Sequence, residues 1–145
     1  MSDVYDAVIV GAGPAGSAAA VTLGRAGHRV LQLDRSSFPR DKPCGDLIGA
    51  RAMRAAFRLG VAPPALSEYC RIRGATITSG NGSLDLWPRS PIGRWILAGS
   101  DARVVPRTVF DDLLVQSALR AGVDLRQATV RAVGPWSEGA RVVHA

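Results

Sequence analysis

With 145 residues, 47% of them apolar, the chain has the size of one ordinary folded domain and is too apolar to be disordered. The formal charge of +6 comes from scattered arginines, with Lys42 the single lysine and no basic run, so nucleic acid is not expected as a partner. Cys44 and Cys70 are too few for a disulfide framework, no ligand spacing suits a metal, and the most apolar stretch, Ala15 to Leu23, is too short to span a bilayer.

The first strand is expected at residues 5–10, which leaves no room ahead of it for a secretory leader. A cytoplasmic location is therefore expected, with peripheral membrane contact left open. Val8-Ile9-Val10 then runs into Gly11-Ala12-Gly13-Pro14-Ala15-Gly16, a Gly-x-Gly-x-x-Gly turn. In a dinucleotide-binding unit each glycine serves a separate purpose. Gly11 makes the tight turn, Gly13 lets a diphosphate approach the backbone, and Gly16 lets the helix pack on the sheet. The alanine-rich run 15–26 has high helix propensity and Gly27 suits its C-terminal stop. A second strand over 28–33 ends at Asp34, near the spacing at which a carboxylate meets an adenosine ribose. Strand, turn, helix, strand and acid fall in the order of a Rossmann-like βαβ unit over about residues 4–35.

Ser36 to Asp46 reads as a loop, and residues 47–59 as a helix that buries Met53, Ala56, Phe57 and Leu59 before Pro63-Pro64 stops it. Arg51, Arg54 and Arg58 recur on its solvated face. Residues 72–105 are β-rich: 75–78 and 84–87 alternate around an Asn81-Gly82 turn signal, with further strands expected at 95–97 and 103–105. After Pro106 a helix is expected, with Thr108 and Asp111 in a capping-box arrangement, an inner face of Phe110, Leu113, Leu114, Ser117 and Ala118, and Gly122 at its end. Strands are expected at 123–125, 128–133 and 140–145. His28 and His144 show no acid or nucleophile partner, and Ser36-Ser37 lack a nucleophile elbow, so a hydrolase has no support.

The loop Lys42-Pro43-Cys44-Gly45-Asp46 narrows the reading. Together with Gly11-x-Gly13-x-x-Gly16, Asp34-Arg35 and Arg107-x-x-Phe110-Asp111 followed by Leu114, it resembles the geranylgeranyl reductase family of flavoproteins. That family lies within the larger group of FAD-dependent monooxygenases, halogenases and reductases sharing the p-hydroxybenzoate hydroxylase fold. The resemblance implies a three-layer, Rossmann-like α/β FAD-binding domain with a β-rich insert that begins a substrate domain. It places residues 1–46 and 106–145 in the FAD domain and 47–105 in the helix and insert. It also implies that Gly11, Gly13, Pro14, Ala15 and Gly16 surround the FAD diphosphate, and that Asp34, with Arg35 beside it, holds the ribose. Cys44 and Gly45 would lie at the flavin end, with Asp46 near them and Cys44 the candidate catalytic residue. Arg107 would reach the phosphate–ribityl region, and Val130, on a strand edge, would meet the adenine through its backbone.

The activity implied is reduction of a carbon–carbon double bond in an isoprenoid, quinone-tail or other lipid-like substrate, with NADPH or NADH as a possible donor. A monooxygenase or halogenase, or a non-catalytic nucleotide-binding fragment completed by a partner chain, is the alternative. An NAD-binding dehydrogenase domain fits less well, because it would continue into further βαβ units after Asp34. Relatives of this family extend well past this length, so the chain is expected to be an N-terminal part, either of a truncated gene or of a split protein with a complementing C-terminal chain. Trp87, Ile92, Trp95, Ile96 and Leu97 would give the insert an apolar surface for a lipid-like substrate.

Overall fold

Strand β1 (Ala7–Val10) is short and β-branched, as suits a strand within a parallel sheet. It pairs in parallel with β2 (Val30–Asp34), Val8 opposite Leu31 and Val10 opposite Leu33. The computed structural model describes residues 4–44, 46–87, 90–92, 101–137 and 140–144. Between β1 and β2 runs helix α1 (Pro14–Arg25), opened by a proline whose missing N–H costs nothing in the first turn. Gly27, at φ +87°, supplies the left-handed residue that turns the chain back toward β2.

The chain then leaves the sheet. Strand β3 (Leu47–Ile48) is followed by α2 (Ala50–Arg58) and a single turn, α3 (Pro64–Ser67). A two-stranded ribbon, β4 (Ala75–Ser79) and β5 (Gly82–Leu86), stands exposed along its length, and β6 (Arg103–Val104) returns to pair antiparallel with β3. Helix α4 (Arg107–Arg120) leads back into β7 (Asp124–Gln127), which lies parallel to β2 on the side away from β1. The sheet order is therefore β1-β2-β7, and a hairpin of β8 (Ala132–Ser137) and β9 (Ala140–His144) follows.

Two apolar clusters hold these pieces. In one, Ala20 and Val21 of α1 meet Val30, Ala118 of α4 and Val123, which lays both helices against the sheet. In the other, Ile48, Met53, Ala56, Val61, Leu66 and Val105 close around Phe110 and Leu114 of α4. Helix α4 thus shares one core with α1 and another with α2. Arg25 adds a polar link, donating to the carbonyls of Arg58 at 2.7 Å and Leu59 at 3.0 Å, where the end of α2 needs donors.

Several expectations are corrected. Leu47 and Ile48 are strand rather than helix, because Val104 and Arg103 pair with them. The hairpin loop is Gly80-Asn81, one residue earlier than the Asn81-Gly82 signal, since Ser79 pairs with Gly82. Thr108 and Asp111 form no capping box: α4 has no side-chain cap, and Asp111 is drawn into the interior by two arginines. Residues 128–131 connect β7 to β8 instead of forming a strand, so Val130 is not on a strand edge. His28 does have an acid nearby, Asp6, with 4.0 Å between Nδ1 and Oδ2. The strand expected at 95–97 lies outside the described residues. Among the described residues no helix is long and apolar enough to cross a membrane.

Candidate functional site

The turn between β1 and α1 is built by close packing and by hydrogen bonds from beneath. Gly11 sits at φ +104°, a left-handed conformation that costs any residue with a Cβ about 1 kcal/mol or more. Its N–H donates to the Leu33 carbonyl at 2.6 Å, binding the turn to the end of β2. A side chain at Gly16 would drive its Cβ into the Gly11 carbonyl oxygen and to within 3.0 Å of the Gly11 carbonyl carbon. Gln32, fully buried on β2, donates through Nε2 to that same carbonyl oxygen at 3.1 Å and to Ser17 Oγ at 3.4 Å. Ser17 Oγ in turn donates to the Ala12 carbonyl at 3.1 Å. These contacts fix the carbonyls inward and leave the outer side of the turn to Gly13.

That outer side opens onto a cleft of about 640 Å³ at the C-terminal ends of β1 and β2. Val10, Gly11 and Gly13 form one wall, Leu33, Asp34, Arg35 and Ser36 another. Asp34 bridges them: its Oδ2 accepts from the Ala12 N–H at 2.7 Å and its Oδ1 from the Ser36 N–H at 2.9 Å. A carboxylate has about four acceptor sites, so Asp34 keeps acceptor capacity for a sugar hydroxyl. Ala128, Thr129 and Val130 close the cleft from the β7–β8 connection, which is tied to β2 by the Ala128 N–H donating to the Asp34 carbonyl at 2.8 Å. The fourth wall is the loop after β2, with Arg40, Asp41, Lys42 and Pro43.

Positive charge is gathered along that loop. Arg107, in the first turn of α4, makes a two-pronged contact with Asp111, Nε to Oδ1 at 2.7 Å and Nη2 to Oδ2 at 2.8 Å. Arg40 approaches the same carboxylate from the loop, 3.5 Å from Oδ2, and stacks on the Phe38 ring at 5.0 Å. Pairing with Asp111 raises the Arg107 pKa, so this cation is permanent. Cys44 is exposed, and its thiol pKa is lowered by a hydrogen bond from the Asp46 main chain and then by Arg107. Asp46 itself holds a left-handed φ of +54°, with its carbonyl accepting from the Val105 N–H at 2.8 Å.

The lowered Cys44 pKa has a direct readout. A thiol with a depressed pKa keeps its thiolate to lower pH, so near pH 7 Cys44 should react with iodoacetamide faster than N-acetylcysteine does. In Arg107→Gln the part of that advantage that Arg107 supplies should vanish, leaving the part due to the Asp46 main chain. Equal rates for Cys44 and the free thiol, followed by peptide mass spectrometry, would contradict the arrangement.

Most of the residues expected at a cofactor site converge here. Gly11, Gly13, Asp34, Arg35 and Val130 line the cleft, Pro14, Ala15 and Gly16 open the adjoining helix, and Cys44 contacts Arg107 at the far end of the loop. Gly45 lies outside the described residues. Arg40, Asp111 and Gln32 were missed. A polar residue in the middle of the buried run Val30-Leu31-Gln32-Leu33 was the available signal for Gln32, whereas nothing local distinguished Arg40 from the other loop charges. A second polar cluster, in which Tyr5 donates to Asp124 at 2.5 Å and lies under Arg29, sits at the opposite ends of the strands. The Tyr5 hydroxyl, followed by Arg126, lowers the Asp124 pKa there.

The residues present fit a dinucleotide. No side chain caps α1 and no acid stands in its first turn, so its leading N–H groups and partial positive charge face outward beside Gly13. Among the described residues, the place a Cβ would take at Gly13 is bordered by the Arg40 guanidinium alone, 3.4 Å away. Diphosphate oxygens are the kind of group such a cradle accepts, with Asp34 placed for the ribose.

The same conclusion comes from comparison with known proteins. The chain is 40% identical over 130 residues to the menaquinone reductase of Mycolicibacterium smegmatis, covering 89% of this chain and 30% of that protein. It is 33% identical over 135 residues to the geranylgeranyl diphosphate reductase of Rhodobacter capsulatus, covering 91% of this chain and 28% of that one. Among solved structures it resembles the myxobacterial chondrochloren halogenase CndH, a variant of the FAD-dependent halogenases, with a TM-score of 0.73 and 28% identity over 98% of this chain and 35% of that one. The chain therefore spans under a third of the length of these two curated relatives. A sequence model for the FAD binding domain matches residues 4–136, nearly everything from the first strand to the last hairpin, and the chain belongs to that family.

Proposed function

We propose that this chain forms the FAD-binding part of a flavin-dependent oxidoreductase of the geranylgeranyl reductase type. Its substrate would be a carbon–carbon double bond in an isoprenoid or quinone-tail lipid. The observation that carries this reading is the cleft, in which the glycine turn and Asp34 face the loop residues Arg40 to Pro43; Cys44 and Arg107 meet just beyond its lining. The names of its relatives, a menaquinone reductase and a geranylgeranyl diphosphate reductase, support the substrate class. Bound FAD would supply the two-electron redox chemistry, with NADPH or NADH the proposed source of electrons. The chain's own residues bind and orient: Gly11 to Gly16 take the diphosphate, Asp34 the ribose, the Ala128–Val130 connection borders the adenine end, and Arg107 stands toward the ribityl chain. A monooxygenase or halogenase is the second reading, the halogenase favoured by the likeness to CndH.

Residues 1–46 and 106–145 would form the FAD domain, and 47–105 the start of a substrate domain. In that insert Ile77 and Leu84 face each other across the β4–β5 ribbon and are half exposed, as are Trp87 and Ile92. They suit a lipid-like substrate or the edge of a membrane. A complementing C-terminal segment would finish the substrate pocket, so the 145 residues alone should bind FAD weakly and turn over no substrate. Titration of the purified chain with FAD, followed by flavin fluorescence, should show saturable binding without NADPH oxidation when menaquinone or geranylgeranyl diphosphate is added. Failure to take up FAD would overturn the cofactor reading, and sustained turnover would overturn the need for a further segment. With that segment supplied, anaerobic turnover favours the reductase and a strict oxygen requirement favours the second reading.

A further inference from the structure

Asp111 is fully buried, yet it stands away from the cleft wall and no role in cofactor binding follows from its position alone. Its two carboxylate oxygens are instead occupied by guanidinium groups from separate parts of the chain. Arg107 comes from its own helix and Arg40 from the loop after β2, with side chains only 13% and 15% exposed. Burying a carboxylate is costly unless it is paired and hydrogen-bonded, and two arginines on one acid leave a net positive charge. That surplus is directed: the Arg40 Nη2 lies 3.4 Å from the position of a Cβ at Gly13, on the side of the turn where a diphosphate would pass. Arg107 carries the same network to Cys44.

We propose that Asp111 is a positioning residue for the diphosphate: it holds the Arg40 fork over the glycine turn and joins the loop after β2 to α4. The proposal rests on the FAD-binding reading. The physical reason is pre-organisation. A loop arginine free in solvent must lose its side-chain freedom when it meets a phosphate, whereas one already anchored by a buried acid does not. Arg40 still has donors to spare, because a guanidinium carries five N–H groups and its contact with Asp111 runs through Nη2.

The test separates phosphate recognition from general damage to the fold. Wild type, Asp111→Asn, Arg40→Gln and the double variant are titrated with ADP and with adenosine. Each single substitution should weaken ADP about tenfold, the scale of one charge-assisted hydrogen bond. Adenosine, which lacks phosphates, should change less than about twofold by the same reasoning. The double variant should bind ADP no worse than the weaker single one, because Asp111 acts through Arg40. A merely structural role would weaken both ligands together, and that result, or additive losses on ADP, overturns the proposal. Should Asp111→Asn lose its circular dichroism spectrum, Arg40→Gln decides: an unchanged ratio of ADP to adenosine affinity overturns it. Wild-type protein that binds adenosine but not ADP or FAD would defeat this proposal and the FAD reading together, whereas ADP binding insensitive to either substitution defeats this one alone.

Discussion

Gly16→Ala lowers the stability of the chain by about 3 kcal/mol or more, the range in which overpacking against immovable atoms falls. The reason is that the new Cβ meets backbone, not a yielding side chain. It is aimed at the Gly11 carbonyl oxygen, which Gln32 pins at 3.1 Å, and at the Gly11 carbonyl carbon at 3.0 Å. Helix α1 would have to lift off the sheet, opening the cluster of Ala20, Val21 and Val30. Helix propensity alone argues the opposite sign, since alanine is better than glycine by about 1 kcal/mol in a helix interior. Thermal unfolding decides between the two: a fall of about 10 °C is expected for a domain of this size, and a rise would mean that the turn is not packed as described.

Gly13→Val has the reverse signature. Gly13 is extended, at φ −73° and ψ −177°, a conformation open to any residue and the one preferred before a proline. Among the described residues its added Cβ would meet just the Arg40 guanidinium, at 3.4 Å, a van der Waals contact that leaves the Arg40–Asp111 pair in place. The melting temperature should therefore move by no more than about 2 °C, as for other substitutions away from packed features. FAD affinity, in contrast, should fall at least about 100-fold, because the isopropyl group occupies the space the diphosphate needs. Equal FAD binding by wild type and Gly13→Val would remove the diphosphate from this turn.

The part of the fold that local chemistry determines was readable from the sequence. The Val8-Ile9-Val10 strand, the glycine turn, the alanine-rich helix and Asp34 are consecutive, and each residue's reason lies within a few positions of it. The errors arose where a distant partner decides. Leu47 and Ile48 look helical until Arg103 and Val104 arrive beside them. Asp111 has the spacing of a cap, and only the arrival of Arg40, 71 positions earlier in the chain, makes it a buried anchor. Val130 was expected on a strand and lies in a connection, yet it lines the same cleft, because Ala128 is tied to the end of β2. Gln32 differs: the sequence marks it as a polar residue inside an apolar strand, but its role becomes readable only once its partner, a main-chain carbonyl, is located.

The central claim is that the diphosphate of FAD lies against the Gly11–Gly16 turn with the ribose at Asp34. A titration of the ¹⁵N-labelled chain with FAD, followed through its amide resonances, tests this residue by residue. The largest shifts should fall on Gly13, Ala15, Gly16 and Ser17, with smaller ones at Asp34 to Ser36 and at Ala128 to Val130. Saturable shifts confined to the β4–β5 ribbon, or to the Tyr5–Asp124 end of the sheet, with the glycine turn unmoved, would contradict it.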